Sequence, residues 1–145
     1  MKNIILADDD TDDCELFQDA LKELSIQTQL TISEDGVVLM KTLDDTVPPP
    51  PDVIFLDLNM PIKNGYEALT EIRNTPKLKD IMVVIFSTTD NQIAIEKTYS
   101  LGANYYVRKP NSFALLKKAI ETILLFTKPE QREQPPIENF LLTIN

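Results

Sequence analysis

Residues 53–57, Val53-Ile54-Phe55-Leu56-Asp57, are four consecutive apolar residues closed by an acid. A run this short and continuous, rich in β-branched and aromatic residues, reads as a strand buried on both faces. Three similar runs accompany it. Ile4-Ile5-Leu6-Ala7 precedes Asp8 and Asp9, Met82-Val83-Val84-Ile85-Phe86 precedes Ser87 and Thr88, and Tyr105-Tyr106-Val107 precedes Arg108 and Lys109. Gln29–Ser33 is a weaker strand candidate. Between the runs, apolar residues recur at three- and four-residue steps: Cys14, Phe17, Leu21 and Leu24 in the first helix, then Val37–Leu43, Tyr66–Arg73, Gln92–Leu101 and Phe113–Phe126. Gly102 is placed to cap the fourth helix. Strands alternating with helices, βαβαβαβαβα, define an α/β doubly wound parallel sheet with helices on both faces.

The 145 residues make one domain of ordinary composition, 43 % hydrophobic and 26 % charged. Fourteen basic against 23 acidic residues give a net charge of −9 and no basic patch, so nucleic acid is not an expected partner. The absence of His removes Ser-His-Asp and Cys-His catalysis and His-ligated zinc or haem. A single cysteine, Cys14, excludes an internal disulfide and reads as a packing residue. Three glycines cannot build a dinucleotide or P-loop phosphate site. No signal peptide or membrane-spanning run is present, so the expected compartment is the cytoplasm, with no membrane partner.

Ligands of open α/β sheets bind outside the carboxyl ends of the strands. In one common strand order, 2-1-3-4-5, the first and third strands are neighbours. That order brings Asp8, Asp9 and Asp57 together. Two carboxylates 4 Å apart repel by about 4 kcal/mol at an effective dielectric near 20. Lys109 offsets one charge, and a hard divalent cation offsets two. Oxygen ligands without His or thiolate favour Mg²⁺, with Mn²⁺ as a substitute, and Mg²⁺ sites commonly share the ion with phosphate oxygens. Asp10, Asp12 and Asp13 read as a cap and an acidic first turn.

The stretches IILADDD (4–10), VIFLDLNMPIKNG (53–65), VVIFSTTD (83–90) and YYVRKP (105–110), in this order and spacing, resemble the receiver domain of two-component response regulators, in its stand-alone, chemotaxis-like form. The resemblance covers residues 1–127. It implies a five-stranded, flavodoxin-like sheet of order 2-1-3-4-5 and a phosphorelay role. Asp57 then accepts a phosphoryl group from a phosphohistidine on a sensor kinase or phosphotransfer protein. The resemblance also implies Asp8, Asp9, Asp57 and the backbone carbonyl of Asn59 as metal ligands, and Lys109 and Ser87 as partners of the phosphoryl oxygens. It implies Ser87, Thr88 and Tyr106 as switch positions, Tyr106 turning inward as the hydroxyl at 87 moves. It further implies a cis peptide at Lys109-Pro110. Thr88 stands where the family often has a smaller residue, and narrower access to the phosphoryl group is expected.

Such a domain is not an enzyme on other substrates; it promotes only its own phosphorylation and dephosphorylation. Two alternatives are a degenerate receiver acting as a phosphorylation-independent adaptor, and a Mg²⁺ phosphohydrolase of the haloacid dehalogenase type. Asp8 and Asp10 fit the latter's motif, but Asp12 occupies its Thr/Val position.

Pro48-Pro49-Pro50-Pro51 reads as a stiff polyproline II connector. Residues 128–145 read as a linker-like tail, with Pro129, Pro135 and Pro136, ending in the apolar Phe140-Leu141-Leu142-Thr143-Ile144. An appended strand, a partner-binding segment and a cover over the body are all compatible with that ending. No output module follows, so output is expected through a downstream protein, on the face formed by the fourth helix, fifth strand and last helix, or through onward phosphotransfer. A homodimer is compatible with the resemblance.

Overall fold

In the computed structural model, residues 1–128 and 133–144 are described. Five strands, β1 (Lys2–Ala7), β2 (Thr28–Ser33), β3 (Val53–Leu56), β4 (Val83–Ser87) and β5 (Tyr105–Arg108), form one sheet in the order β2-β1-β3-β4-β5. Every pairing is parallel. The helices are α1 (Thr11–Lys22), α2 (Gly36–Thr46), α3 (Gly65–Asn74), α4 (Gln92–Ser100) and α5 (Phe113–Leu125). The expected doubly wound topology is the observed one.

Side chains alternate along each strand, so one sheet feeds two cores. Ile5, Ala7, Ile54, Leu56, Val83 and Ile85 face α2, α3 and α4; Ile4, Leu6, Val53, Phe55, Val84 and Phe86 face α1 and α5. Under α1, Phe17, Phe55 and Phe86 meet edge to face, with centroids 5.0–6.0 Å apart. These buried runs explain why β3 and β4 carry no polar residue before their last position.

Side chains set where the helices begin. Asp10 caps α1 by accepting from the Asp13 N–H at 3.0 Å, and Asn64 with Glu67 forms a reciprocal capping box on α3. α4 closes through Gly102, whose φ of +98° is the left-handed conformation expected of a C-terminal glycine. Arg73 ties α3 to the β4–β5 end, donating to the carbonyls of Gly102, Lys79 and Ile81 and to Asn104 Oδ1, all at 2.7–3.0 Å. Asn104 Oδ1 also accepts from the Val83 N–H at 2.9 Å.

Two expectations are corrected. Pro48–Pro51 is not a straight polyproline rod: the Val47-Pro48 and Pro48-Pro49 bonds are cis, and Val47 is buried against α2 while Pro51 is buried at the entry to β3. The Lys109-Pro110 bond is not cis. Lys109 is aimed instead by the sheet, since its N–H donates to the Ser87 carbonyl at 2.8 Å and continues the β4–β5 ladder by one residue.

The tail also acquires a definite place; Pro129 lies outside the described residues. A short 3₁₀ turn, Ile137–Asn139, leads into Phe140 and Leu141. Leu141 forms a parallel bridge with Tyr106, so the tail lies along the free edge of β5. Among the described residues no helix is long and apolar enough to cross a membrane.

Candidate functional site

The site forms where β1, β3, β4 and β5 end. The Asp57 N–H donates to the Ala7 carbonyl and the Asp8 N–H to the Ser33 carbonyl, both at 2.9 Å, so each acid leaves the sheet immediately after its strand. One carboxylate oxygen each from Asp8, Asp9 and Asp57 lies within 4.8 Å of the others. Asp8 and Asp57 are buried, at 1 % and 6 % exposure, whereas Asp9 faces solvent. The backbone that carries Asp57 is closely packed: a Cβ on Gly65 would stand 2.3 Å from the Asp57 carbonyl oxygen, so α3 can start there only with glycine.

Lys109 enters from β5, its side chain only 10 % exposed. Its ammonium lies 2.7 Å from Asp8 Oδ2, 2.9 Å from Asp13 Oδ2 and 3.4 Å from Asp57 Oδ2. Burial works against the ammonium, but hydrogen bonds from Asp13 and Asp8 and the charge on Asp57 outweigh it and hold its pKa above the ordinary lysine value. Burial pushes the Asp57 carboxyl up to about 6, opposed by Lys109 and reinforced by Asp8. Asp57 is thus still mostly ionised at neutral pH. The Asn59 N–H donates to Asp57 Oδ1 at a long 3.4 Å.

The fourth corner is Ser87, fully buried at the end of β4. Its hydroxyl oxygen accepts from the Thr89 N–H at 3.3 Å, and the Thr89 carbonyl accepts from the Tyr106 phenol at 2.5 Å. Burial pushes the Tyr106 hydroxyl up to about 12, with a hydrogen bond to Ser87 pulling the other way. The Tyr106 ring is fully buried, already turned inward, and Thr88 is exposed at the mouth.

Of the residues singled out from sequence, Asp8, Asp9, Asp57 and Lys109 converge directly, with Asn59 and Ser87 beside them. Asp13 was read as a first-turn acid, yet it reaches Lys109; a carboxylate one turn into α1 faces β5 only because α1 packs beside α5. Asp10, which the phosphohydrolase motif requires in the pocket, is instead the cap of α1. Cys14 is a packing residue: burial pushes its thiol up to about 11, away from thiolate reactivity. Sequence reasoning also missed Ile62, whose φ of +69° closes a three-residue turn with the Lys63 N–H donating to Pro61 O at 2.7 Å. A β-branched residue there is strained by about 1–3 kcal/mol and holds the loop just after the acid in one shape.

Hard oxygen donors are what this pocket offers. Asp8 Oδ2 is buried, and its partner is the Lys109 ammonium at 2.7 Å. Three carboxylates around one point fit a divalent cation and would repel one another without compensation.

A five-stranded parallel sheet of order 2-1-3-4-5 with an acidic, lysine-bridged pocket at the carboxyl ends of its strands has the architecture of a receiver domain. Residues 4–121 match the response regulator receiver domain family, and the chain belongs to it. Among its relatives is the response regulator Rcp1 of Synechocystis sp., 36 % identical over 129 residues, spanning 86 % of this chain and 88 % of that one. A probable chemotaxis protein CheY of Rhizobium etli is 28 % identical, over 83 % of this chain and 90 % of that one. The Mn²⁺-bound structure of Rcp1 superposes with a TM-score of 0.76 at 36 % identity, covering 87 % of this chain and 94 % of that one. The phosphorylated cyanobacterial phytochrome response regulator RcpA superposes with 0.79 at 35 % identity, covering 86 % and 92 %.

Proposed function

We propose that this chain is a phosphorelay receiver in which Asp57 accepts a phosphoryl group from a phosphohistidine of a sensor kinase or phosphotransfer protein. A lone pair on an Asp57 carboxylate oxygen forms the O–P bond as the P–N bond breaks. The imidazole leaves with that electron pair and takes up a proton. No base is needed, because the nucleophile is already an anion. Asp8, Asp9, Asp57 and the Asn59 carbonyl would hold Mg²⁺, which would supply charge neutralisation for the phosphoryl oxygens; Mn²⁺ would serve in its place, as the Mn²⁺-bound relative supports. Lys109 leaves Asp13 or Asp8 to pair with a phosphoryl oxygen. Ser87 donates its hydroxyl hydrogen to another. The β4–β5 ladder fixes the backbone of Lys109 and Ser87, so only their side chains need to move. The acyl phosphate then biases a protein-binding surface toward a downstream target through Ser87, Thr88 and Tyr106. Turnover is confined to the domain's own phosphorylation and dephosphorylation.

The observation that carries this reading is the placement of Asp57 within 4.8 Å of two further carboxylate oxygens and 3.4 Å from the Lys109 ammonium. The test is intact mass after incubation with Mg²⁺ and a small acyl phosphate. A stoichiometric, base-labile gain of about 80 Da, one phosphoryl group, that Asp57→Asn abolishes supports it. Absence of any adduct, with binding of partners unchanged, would point to a phosphorylation-independent adaptor, and multiple turnover of phosphate esters to a hydrolase.

A further inference from the structure

The outer edge of β5 is a strand-docking groove, and it is filled. Phe140 is fully buried, its ring edge-on to Tyr99 at 5.1 Å and to Tyr106 at 6.1 Å. The Tyr106 N–H donates to the Phe140 carbonyl at 3.0 Å and the Leu142 N–H to the Tyr106 carbonyl at 2.9 Å. Tyr99 Oη donates to Pro135 O at 2.8 Å, and Gln134 Nε2 donates to the carbonyls of Tyr99 and Ala103. Leu142 and Ile144 pack on the α1–α5 core, on the opposite side of the sheet from Phe140. Tyr106 is therefore shared: its backbone and ring hold the tail, and its hydroxyl holds Thr89, whose N–H is on Ser87.

We propose that residues 137–144 are a strap whose docking on β5 is positively coupled to phosphorylation of Asp57 through Ser87, Thr89 and Tyr106. The inference rests on the phosphoacceptor role assigned above to Asp57. A new phosphoryl oxygen draws the hydroxyl hydrogen of Ser87, whose oxygen keeps lone pairs for the Thr89 N–H and becomes a better acceptor. The 87–89 loop is thereby fixed where the Thr89 carbonyl meets the Tyr106 phenol. Phe140 walls that same ring in from outside. Both events select one position of one side chain, so each strengthens the other, and by linkage the effect is reciprocal. The occupant of the groove is this chain's own tail, which satisfies both backbone hydrogen-bonding groups of Tyr106 and seats Phe140 against the Tyr99 and Tyr106 rings.

The test uses the full chain, with and without acetyl phosphate and Mg²⁺, with intact mass recorded on every sample. Amide exchange at Tyr106 and Leu142 reports tail docking, since those N–H groups bond only across the tail. Phosphorylation is expected to slow both by about fivefold or more, a usual size for coupling between sites. Phe140→Ala, which empties the socket, is expected to shorten the phosphoryl half-life by a similar factor. Tyr106→Phe keeps the ring and removes the bond to Thr89; its tail amides are expected to exchange at one rate in both states. A full mass gain with unchanged exchange at Tyr106 and Leu142 overturns the strap alone. No mass gain overturns both the strap and the phosphorelay reading. A response that survives intact in Tyr106→Phe overturns the route. Protection that falls on dilution overturns the assignment of the occupant, since the tail seated on β5 then belongs to a second copy.

Discussion

Lys109 and Asp13, 96 positions apart in the chain, meet at 2.9 Å across the mouth of the acidic pocket. Asp13 is a third of the way exposed and shares the lysine with the buried Asp8, 2.7 Å from the same ammonium. Asp13→Asn removes one negative charge from the pocket and leaves Lys109 less neutralised, and both changes disfavour a dication. Divalent-ion affinity is expected to fall about three- to tenfold, on the order of 1 kcal/mol for a partly exposed charge. Titration calorimetry with Mg²⁺ checks this, and an unchanged affinity refutes it.

The buried Asp57 carboxyl carries a pH signature in the metal-free protein. Its folded pKa, about 6, lies above the ordinary 3.8, so the folded state binds the proton more tightly. The stability contributed is present below the unfolded value and is lost as pH rises through 6. Metal-free protein should therefore melt higher at pH 5 than at pH 7 by a few degrees, and Asp57→Asn should flatten that difference while raising Tm at pH 7. Thermal scans in chelator at both pH values decide it. A parent that melts lower at pH 5, or a variant with the parent's slope, contradicts the argument.

Thr88 is exposed at the mouth of the pocket, beside Ser87. Its branched side chain is expected to narrow the approach of water to an acyl phosphate on Asp57. Thr88→Ala is expected to speed loss of the phosphoryl group by about two- to fivefold, under 1 kcal/mol of barrier, without altering the final extent of labelling. Matching decay curves for the two proteins would remove the proposed gatekeeping.

Far from the pocket, the half-buried Arg73 satisfies three backbone carbonyls and Asn104, and desolvation lowers its pKa without displacing its charge. Arg73→Ala takes the guanidinium from the Gly102, Lys79 and Ile81 carbonyls, while Asn104 Oδ1 keeps the Val83 N–H. A loss of about 3 kcal/mol is expected in denaturant titrations, at the upper end of ordinary single substitutions. A loss below about 1 kcal/mol would mean that water replaces the guanidinium.

How much of this could be read without coordinates follows from what each residue does. The strands were legible because both faces are buried, leaving unbroken runs such as Val53–Leu56. Asp8, Asp9, Asp57 and Lys109 were legible because each stands where such a run ends, and the strand order brings the ends together. Asp13 was not: an acid in a helix's first turn looks the same whether it favours the helix dipole or reaches a lysine 96 residues away. Arg73 and Asn104 were hidden for a related reason, since Arg73 bonds backbone carbonyls and Asn104 Oδ1 accepts from a backbone N–H, groups that no pattern of residue types encodes. Peptide-bond isomers depend on the packing around them: composition suggested an extended polyproline run at Pro48 and Pro49, and the family resemblance a cis bond at Pro110, and the structure has neither. The apolar tail announced that it would be buried, but the partner it found, the rim of β5, is defined only once the sheet exists.

Strand pairing by Leu141 has a colloidal consequence. An open parallel sheet has two margins with unsatisfied backbone groups, each able to recruit a strand from another molecule. Here the tail covers part of one of them. The other, β2, turns Thr28, Gln29, Thr31 and Ser33 among its six residues, a polar composition poorly suited to sticking. Shortening the chain before Phe140 would bare the apolar margin, and the first symptom would be turbidity on concentration rather than a lost fold.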